Sequence, residues 1–209
     1  MKKGIIFDMD GTLWNTTDEV VISWQEVVDG LGLEKKITAE EIDRFMGQPM
    51  SVFFENMFPT ASAELLKTLE KECERHENEY IASHGGKLYP GIRKTLEALK
   101  NMGYHLYIVS NSQDGYVEAL FASTDLAEFF DDYEMYGRTK KLKAENIKLV
   151  MERNALDKAY YVGDTQGDMD ASLKAGAKFI FASYGFGKAE NAEYVINSLS
   201  ELVDILSMN

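Results

Sequence analysis

The stretch Gly4-Ile5-Ile6-Phe7-Asp8-Met9-Asp10-Gly11-Thr12 decides how the rest of the chain is read. Residues 4–7 form a short apolar run with β-branched residues, which predicts a buried strand. It stops abruptly at two aspartates and a glycine, a polar loop. Further along, Tyr104 to Val109, Ala159 to Val162 and Lys178 to Ala182 repeat the pattern, and Tyr133 to Tyr136 does so more weakly. The first of these ends at Ser110-Asn111, the second at Gly163-Asp164, and the third in the loop Tyr184-Gly185-Phe186-Gly187.

Helical patterns separate these runs. Ile92, Leu96, Leu99 and Met102 are spaced as one face of a helix that follows Pro90-Gly91. Ala144 to Arg153, Met169 to Ala175 and Asn197 to Ser207 read as helices too, with Gly176 as a stop after the second. Alternating strand and helix predicts an α/β fold, a Rossmann-like parallel sheet covered by helices. The segment between Asn15 and Leu88 breaks the alternation and reads as four successive helices. Thr17 or Asp18 caps the first, Thr38-Ala39-Glu40-Glu41 is a capping box for the second, Pro49 opens the third, and the fourth runs from Ser62 to about Ala82. The expected organisation is therefore a core of residues 1–14 and 89–209 interrupted by a small helical cap, residues 15–88, with a hinge at the two connections.

The whole chain has 209 residues and a formal net charge of −13, of which the insert contributes −8. An acidic surface disfavours nucleic acid and anionic membranes as partners. No apolar run approaches the roughly 20 residues that span a bilayer, and the three apolar residues before Asp8 are too few for a signal peptide. One cysteine, Cys73, excludes an intramolecular disulfide, and a cytoplasmic setting is expected. Cys73 sits in a charged stretch with no partner in view and reads as a bystander.

In a parallel sheet, ligands bind beyond the carboxyl ends of the strands. There the pattern places Asp8 and Asp10, then Ser110 and Asn111, then Asp164 and Asp168. Carboxylates crowded together call for a cation, and an oxygen-only set without His or Cys favours Mg²⁺. A hydroxyl and an amide on an adjacent strand suit phosphate oxygens, and a lysine would balance the remaining charge. Lys140, Lys141 and Lys143 are the candidates.

Four segments, in order, now resemble the haloacid dehalogenase superfamily, and phosphoglycolate phosphatase-like members in particular. They are Asp8-Met9-Asp10-Gly11-Thr12-Leu13, Ser110-Asn111, a lysine near Ala144, and Gly163-Asp164-Thr165-Gln166-Gly167-Asp168. The resemblance implies a phosphatase acting on a small phosphate ester, phosphoglycolate-like or a sugar phosphate. It implies that Asp8 is the nucleophile and Asp10 the acid and base. Asp8, Asp164 and the main-chain carbonyl of Asp10 would hold Mg²⁺, and Ser110, Asn111 and a lysine would bind the phosphoryl group. Asp168 would orient the lysine or a metal-bound water from behind. Lys143 best matches the family's lysine, with Lys141 second.

Dehalogenases of the superfamily lack the second aspartate, so Asp10 favours phosphoryl chemistry. The sugar-phosphate mutases carry a histidine on the first cap helix, where this chain has Val20-Val21-Ile22. The missing histidine weighs against mutation and for hydrolysis, with mutation, or binding of a phosphorylated ligand without turnover, as the alternatives. Phosphonatases need a cap lysine, for which Lys35 and Lys36 are the candidates. Trp14 and Trp24 either line a cavity or pack the insert. Arg44 either pairs with a substrate carboxylate or with Glu40 or Glu41 on its own helix, and Gln48 is a second candidate cap contact.

Overall fold

Ile5, Ile6 and Phe7 of β1 (Lys3–Phe7) are all fully buried. A strand apolar on both faces needs cover on both, which only the interior of a helix-covered sheet provides. A computed structural model, which describes residues 1–46, 48 and 50–207, places it there. β4 (His105–Ser110) lies parallel on one side, with Ile5 opposite Leu106, and β6 (Lys158–Gly163) on the other, with Ile5 opposite Tyr160. Beyond β4 comes β5 (Phe130–Met135), and beyond β6 come β7 (Lys178–Ala182) and β8 (Tyr194–Ile196). The sheet order is β5-β4-β1-β6-β7-β8. Taken in chain order this is the 3-2-1-4-5-6 arrangement of a doubly wound sheet, which reverses direction between β1 and β6.

The helices around the sheet follow from local chemistry. α5 (Ile92–Asn101) buries Ile92, Leu96 and Leu99, while Met102, read as part of that face, sits past the helix end and is exposed. α8 (Lys143–Arg153) buries Ile147 and Val150 against the sheet. α9 (Gln166–Ala175) opens on a capping box between Thr165 and Asp168 and closes on Gly176 in the left-handed conformation. α10 (Glu201–Ser207) starts later than the periodicity suggests. Residues 194–196 are taken by β8, and the Asn197 N–H donates to the Glu201 carboxylate at 2.9 Å, which sets the helix start downstream. Tyr136, expected to end a strand, instead starts the short α7 (Tyr136–Thr139). α6 (Tyr116–Ser123) has no counterpart in the sequence reading.

The insert is helical. It comprises α1 (Thr17–Gly30), α2 (Ala39–Phe45), α3 (Met50–Met57) and α4 (Ala63–His84). Thr38 and Glu41 form the reciprocal capping box on α2. Pro49, expected to open α3, lies outside the described residues. The first and third of these helices pack on α4, and Trp24, Phe53 and Phe54 form an aromatic cluster there, with Trp24 4.8 Å from Phe54 between ring centroids. Cys73, in the charged stretch of α4, is buried in the hydrophobic core. The two connections between insert and sheet pair with each other. β2 (Trp14–Asn15) runs antiparallel to β3 (Lys87–Leu88), a two-stranded ribbon the sequence does not announce. Among the described residues no helix is long and apolar enough to cross a membrane.

Candidate active site

Asp8 and Asp164 stand one residue beyond β1 and β6, at the point where the sheet reverses. The Asp8 N–H donates to the Val162 carbonyl at 2.9 Å, which anchors the loop to the neighbouring strand. Ser110 ends β4, and Ser110 and Asn111 line the same cavity as Asp8 and Asp10. Sheet geometry alone therefore brings three separated segments together.

Of the three candidate lysines, Lys143 is the one whose ammonium reaches the aspartates. As the first residue of α8 it is directed into the site with only 7% of its side chain exposed. Its Nζ lies 3.1 Å from Asp8 Oδ2 and 2.6 Å from Asp168 Oδ1. Lys141 is exposed, and Lys140, also exposed, lines the cavity with its ammonium over the Tyr136 ring. The other oxygen of Asp168 accepts from the Thr165 N–H at 3.1 Å and hydroxyl at 2.7 Å. Asp168 is thereby both helix cap and lysine clamp. Asp170, by contrast, is exposed and accepts from Gln166 on its own helix.

Asp164 is held differently. Its Oδ2 accepts from the N–H groups of Phe186 and Gly187, at 2.8 and 3.1 Å. The loop after β7 thus acquires a role that its sequence left open: it orients Asp164. Space around this carboxylate is short. A methyl group at Gly11, whose φ is +78°, would lie 2.3 Å from Asp164 Oδ2, and one at Gly185 would lie 2.4 Å from the Gly11 carbonyl. Only residues without a Cβ let the two loops close on Asp164.

Asp10 takes a third arrangement. Its Oδ1 accepts from the hydroxyls of Thr16 and Tyr116, each at 2.9 Å, and these two hydroxyls are 2.9 Å apart. No motif in the sequence points to either partner. Tyr116 belongs to α6, whose buried face carries Tyr116, Val117 and Leu120 but whose eight residues give no periodicity that separates helix from strand.

The charges follow from burial. Asp8 is pushed well above the usual carboxylate range by burial and by Asp168, with Lys143 pulling the other way and Asp164 adding to the rise. Burial and Asp168 raise Asp164 to about 7, against the two loop amides that lower it. Burial raises Asp10 to about 6, moderated by Thr16 and Tyr116. Desolvation works to lower the Lys143 ammonium, but Asp168 and Asp8 outweigh it and hold it above its ordinary value.

Asp8, Asp164 and Asp168 each offer one oxygen, and these atoms all lie within 4.8 Å of one another. One lysine cannot neutralise three buried carboxylates, and Asp164 Oδ1 is buried without a hydrogen-bond partner. An oxygen-only set with an orphaned carboxylate oxygen fits a hard divalent cation. Within the set, Asp168 is already committed to Lys143 and Thr165. The Asp10 carboxylate stands outside it, with Oδ1 bound to two hydroxyls.

The insert closes the cavity from above with Trp24, Phe53 and three glutamates of α4, Glu70, Glu74 and Glu77. Trp24 thus both lines the cavity and packs the insert, whereas Trp14 packs edge-on against Tyr116. Gln48 is in the lining. Arg44 is outside it, 67% exposed and 3.8 Å from Glu40 on its own helix. Lys35 is tied to Glu41, and Lys36 is outside the cavity lining.

A doubly wound sheet with an aspartate pair after its first strand, a lysine clamp and a carboxylate cluster defines a hydrolase class. The family model for haloacid dehalogenase-like hydrolases matches residues 5–182, and the chain belongs to that family. It is 25% identical over 222 residues to a phosphoglycolate phosphatase of Vibrio parahaemolyticus, covering 99% of this chain and 97% of the relative. It is 27% identical to one of Aquifex aeolicus, covering 97% and 95%. A crystal structure of a predicted phosphoglycolate phosphatase from Haemophilus somnus superposes with a TM-score of 0.87 at 20% identity, over 98% of both chains.

Proposed function

We propose that this phosphoric monoester hydrolase cleaves a small phosphorylated metabolite in two steps through a phosphorylated Asp8. The observation that carries this is the pair of unlike aspartates in one cavity: Asp8 clamped by Lys143, and Asp10 poised at about 6 by burial and two hydroxyls. In the first step an Asp8 oxygen bonds to phosphorus as the ester oxygen leaves, and Asp10 gives that oxygen its proton. In the second, Asp10 takes a proton from water, the water oxygen bonds to phosphorus, and the Asp8 carboxylate is released. Lys143, the Ser110 hydroxyl and Asn111 hold the phosphoryl oxygens, and Asp168 keeps Lys143 in place. Asp8, Asp164 and the Asp10 carbonyl would hold Mg²⁺, which when bound offsets charge between the nucleophile and the phosphoryl group.

Residues 15–88 act in this reading as a cap on a catalytic core of residues 1–14 and 89–209, hinged at the β2–β3 ribbon. Closing the cap excludes water and selects the leaving group, which suits a metabolite such as phosphoglycolate or a sugar phosphate better than a protein. The acidic surface and single buried cysteine suit a cytoplasmic setting. Hydrolysis of p-nitrophenyl phosphate with Mg²⁺, lost in Asp8→Asn, is the expected result. No hydrolysis by the wild type, or undiminished hydrolysis by Asp8→Asn, overturns it.

A further inference from the structure

The cavity has two walls of different character. The wall formed by the sheet carries the phosphoryl chemistry. The opposite wall is one face of α4, because Glu70, Glu74 and Glu77 are spaced four and three residues apart and all three line the cavity. Trp24 and Phe53 complete that wall, with ring centroids 5.3 Å apart. Among the described residues the only lysine or arginine in the lining is Lys140.

Glu77 is spoken for, since its two oxygens accept from Trp24 Nε1 at 2.5 Å and Gln113 Nε2 at 3.0 Å. Glu70 and Glu74 are half-buried and face the space where a leaving group must sit. Burial raises Glu74, Glu70 raises it further, and Lys140 only partly opposes this, so the wall is short of positive charge. A carboxylate on the leaving group would meet two glutamates against one exposed lysine. A cation there would meet two glutamates and aromatic rings, the combination that binds ammonium groups.

We propose that the preferred substrate is a phosphate monoester of a cationic alcohol, such as an amino alcohol, with the positive group held against Glu70 and Glu74 beside Trp24 and Phe53. The inference rests on the phosphatase reading above and departs from the anionic leaving group of phosphoglycolate. It makes Glu70 and Glu74 the specificity determinants and leaves the reacting groups unchanged.

The experiment compares kcat/KM at low salt and pH 7.5, with Mg²⁺, for O-phosphoethanolamine, glycerol 3-phosphate and 2-phosphoglycolate. These present a cationic, a neutral and an anionic group on the same kind of ester. The expected order is cationic, neutral, anionic, with about 30-fold or more between the ends, the size that one reversed charge produces near a partly buried acid. In the double variant Glu70→Gln/Glu74→Gln the ratio falls to about threefold or less, mainly through KM, because the charges that discriminate are gone. In Glu74→Lys the order inverts. Wild-type preference for 2-phosphoglycolate, or a ratio that the double variant does not move, overturns the proposal while leaving the phosphatase reading intact. Absence of hydrolysis of all three esters and of p-nitrophenyl phosphate overturns both.

Discussion

Glu77→Gln should make the protein more stable, and increasingly so as pH rises. Glu77 is 4% exposed in the middle of α4, and burial lifts its carboxyl from an ordinary 4.5 to about 8, with Trp24 and Gln113 lowering it and Asp10 and Glu74 raising it. The sign follows from proton counts. Between pH 4.5 and 8 the folded chain keeps a proton that the unfolded chain has released, so stability falls as pH rises through that window and levels off above it. Each pH unit costs about 1.4 kcal/mol, and the full interval sets an upper limit of about 5 kcal/mol. Glutamine has the shape of the protonated acid and carries no such penalty. Its carbonyl still accepts from Trp24, and its NH₂ finds an acceptor only if the Gln113 amide turns, which gives up the Gln113 donation to Asn78 Oδ1 and sets a pH-independent cost against the gain. Groups that do not face Glu77 titrate alike in both proteins, so the pH-dependent part of the difference between their melting curves reports on Glu77 and the neighbours that act on it, Asp10 and Glu74. For a chain of this size about 2–4 °C accompanies each kcal/mol, so the gap in Tm should widen by on the order of 10 °C between pH 5 and pH 8. A gap that stays constant over that range would refute the assignment of a buried, protonated Glu77.

Lys143→Met removes the shared partner of Asp8 and Asp168. Turnover should fall at least about 100-fold, and the fold should lose about 3 kcal/mol in denaturant titration, as expected when a buried ion pair is broken from one side. Asp10→Asn keeps an acceptor for Thr16 and Tyr116 but has no proton to give and take, so metal affinity should persist while kcat drops about 100-fold or more. Unchanged turnover would remove Asp10 from its acid and base role. EDTA should abolish activity and added Mg²⁺ restore it, and full activity in chelator would contradict the reading of the Asp8–Asp164 cluster.

The parts of the fold that sequence makes legible are those where one local rule acts alone. Ile5, Ile6 and Phe7 are apolar on both faces of β1, so the strand and its central place follow from one short run. Thr165 and Asp168 form a capping box, so the start of α9 follows too. Elsewhere two rules conflict. The eight residues of α6, Tyr-Val-Glu-Ala-Leu-Phe-Ala-Ser, are too short and too apolar for periodicity to separate helix from strand. The start of β5 is hidden by Asp131 and Asp132, which are unsuited to a strand until Arg153 and Asn154 pair with Asp132. The β2–β3 ribbon depends on residues 14–15 meeting residues 87–88, a pairing that no local window contains.

The candidate site divides along the same line, and the division has a physical origin. Asp8, Ser110 and Asp164 converge because parallel strands place their carboxyl ends on one edge, so strand assignment alone locates them. Residues that face them from the insert have no such shared origin. Glu70, Glu74 and Glu77 belong to a charged stretch of sequence, and it is the packing of α4 against α1, α3 and α6 that turns that face toward the cavity. The two halves are nevertheless tied at one loop. Gln113 and Asp114, just beyond the Ser110-Asn111 pair, bond to Glu77 and Asn78 of α4, at 3.0 Å from Gln113 to Glu77 and 2.8 Å from Asn78 to the Asp114 carbonyl. The segment that follows Ser110 and Asn111 is therefore also the one bonded to the acidic helix over the cavity. A change on α4 at this latch, Glu77→Gln included, bears on the loop that follows Ser110 and Asn111, whereas Glu70 and Glu74 line the cavity without a bond to that loop.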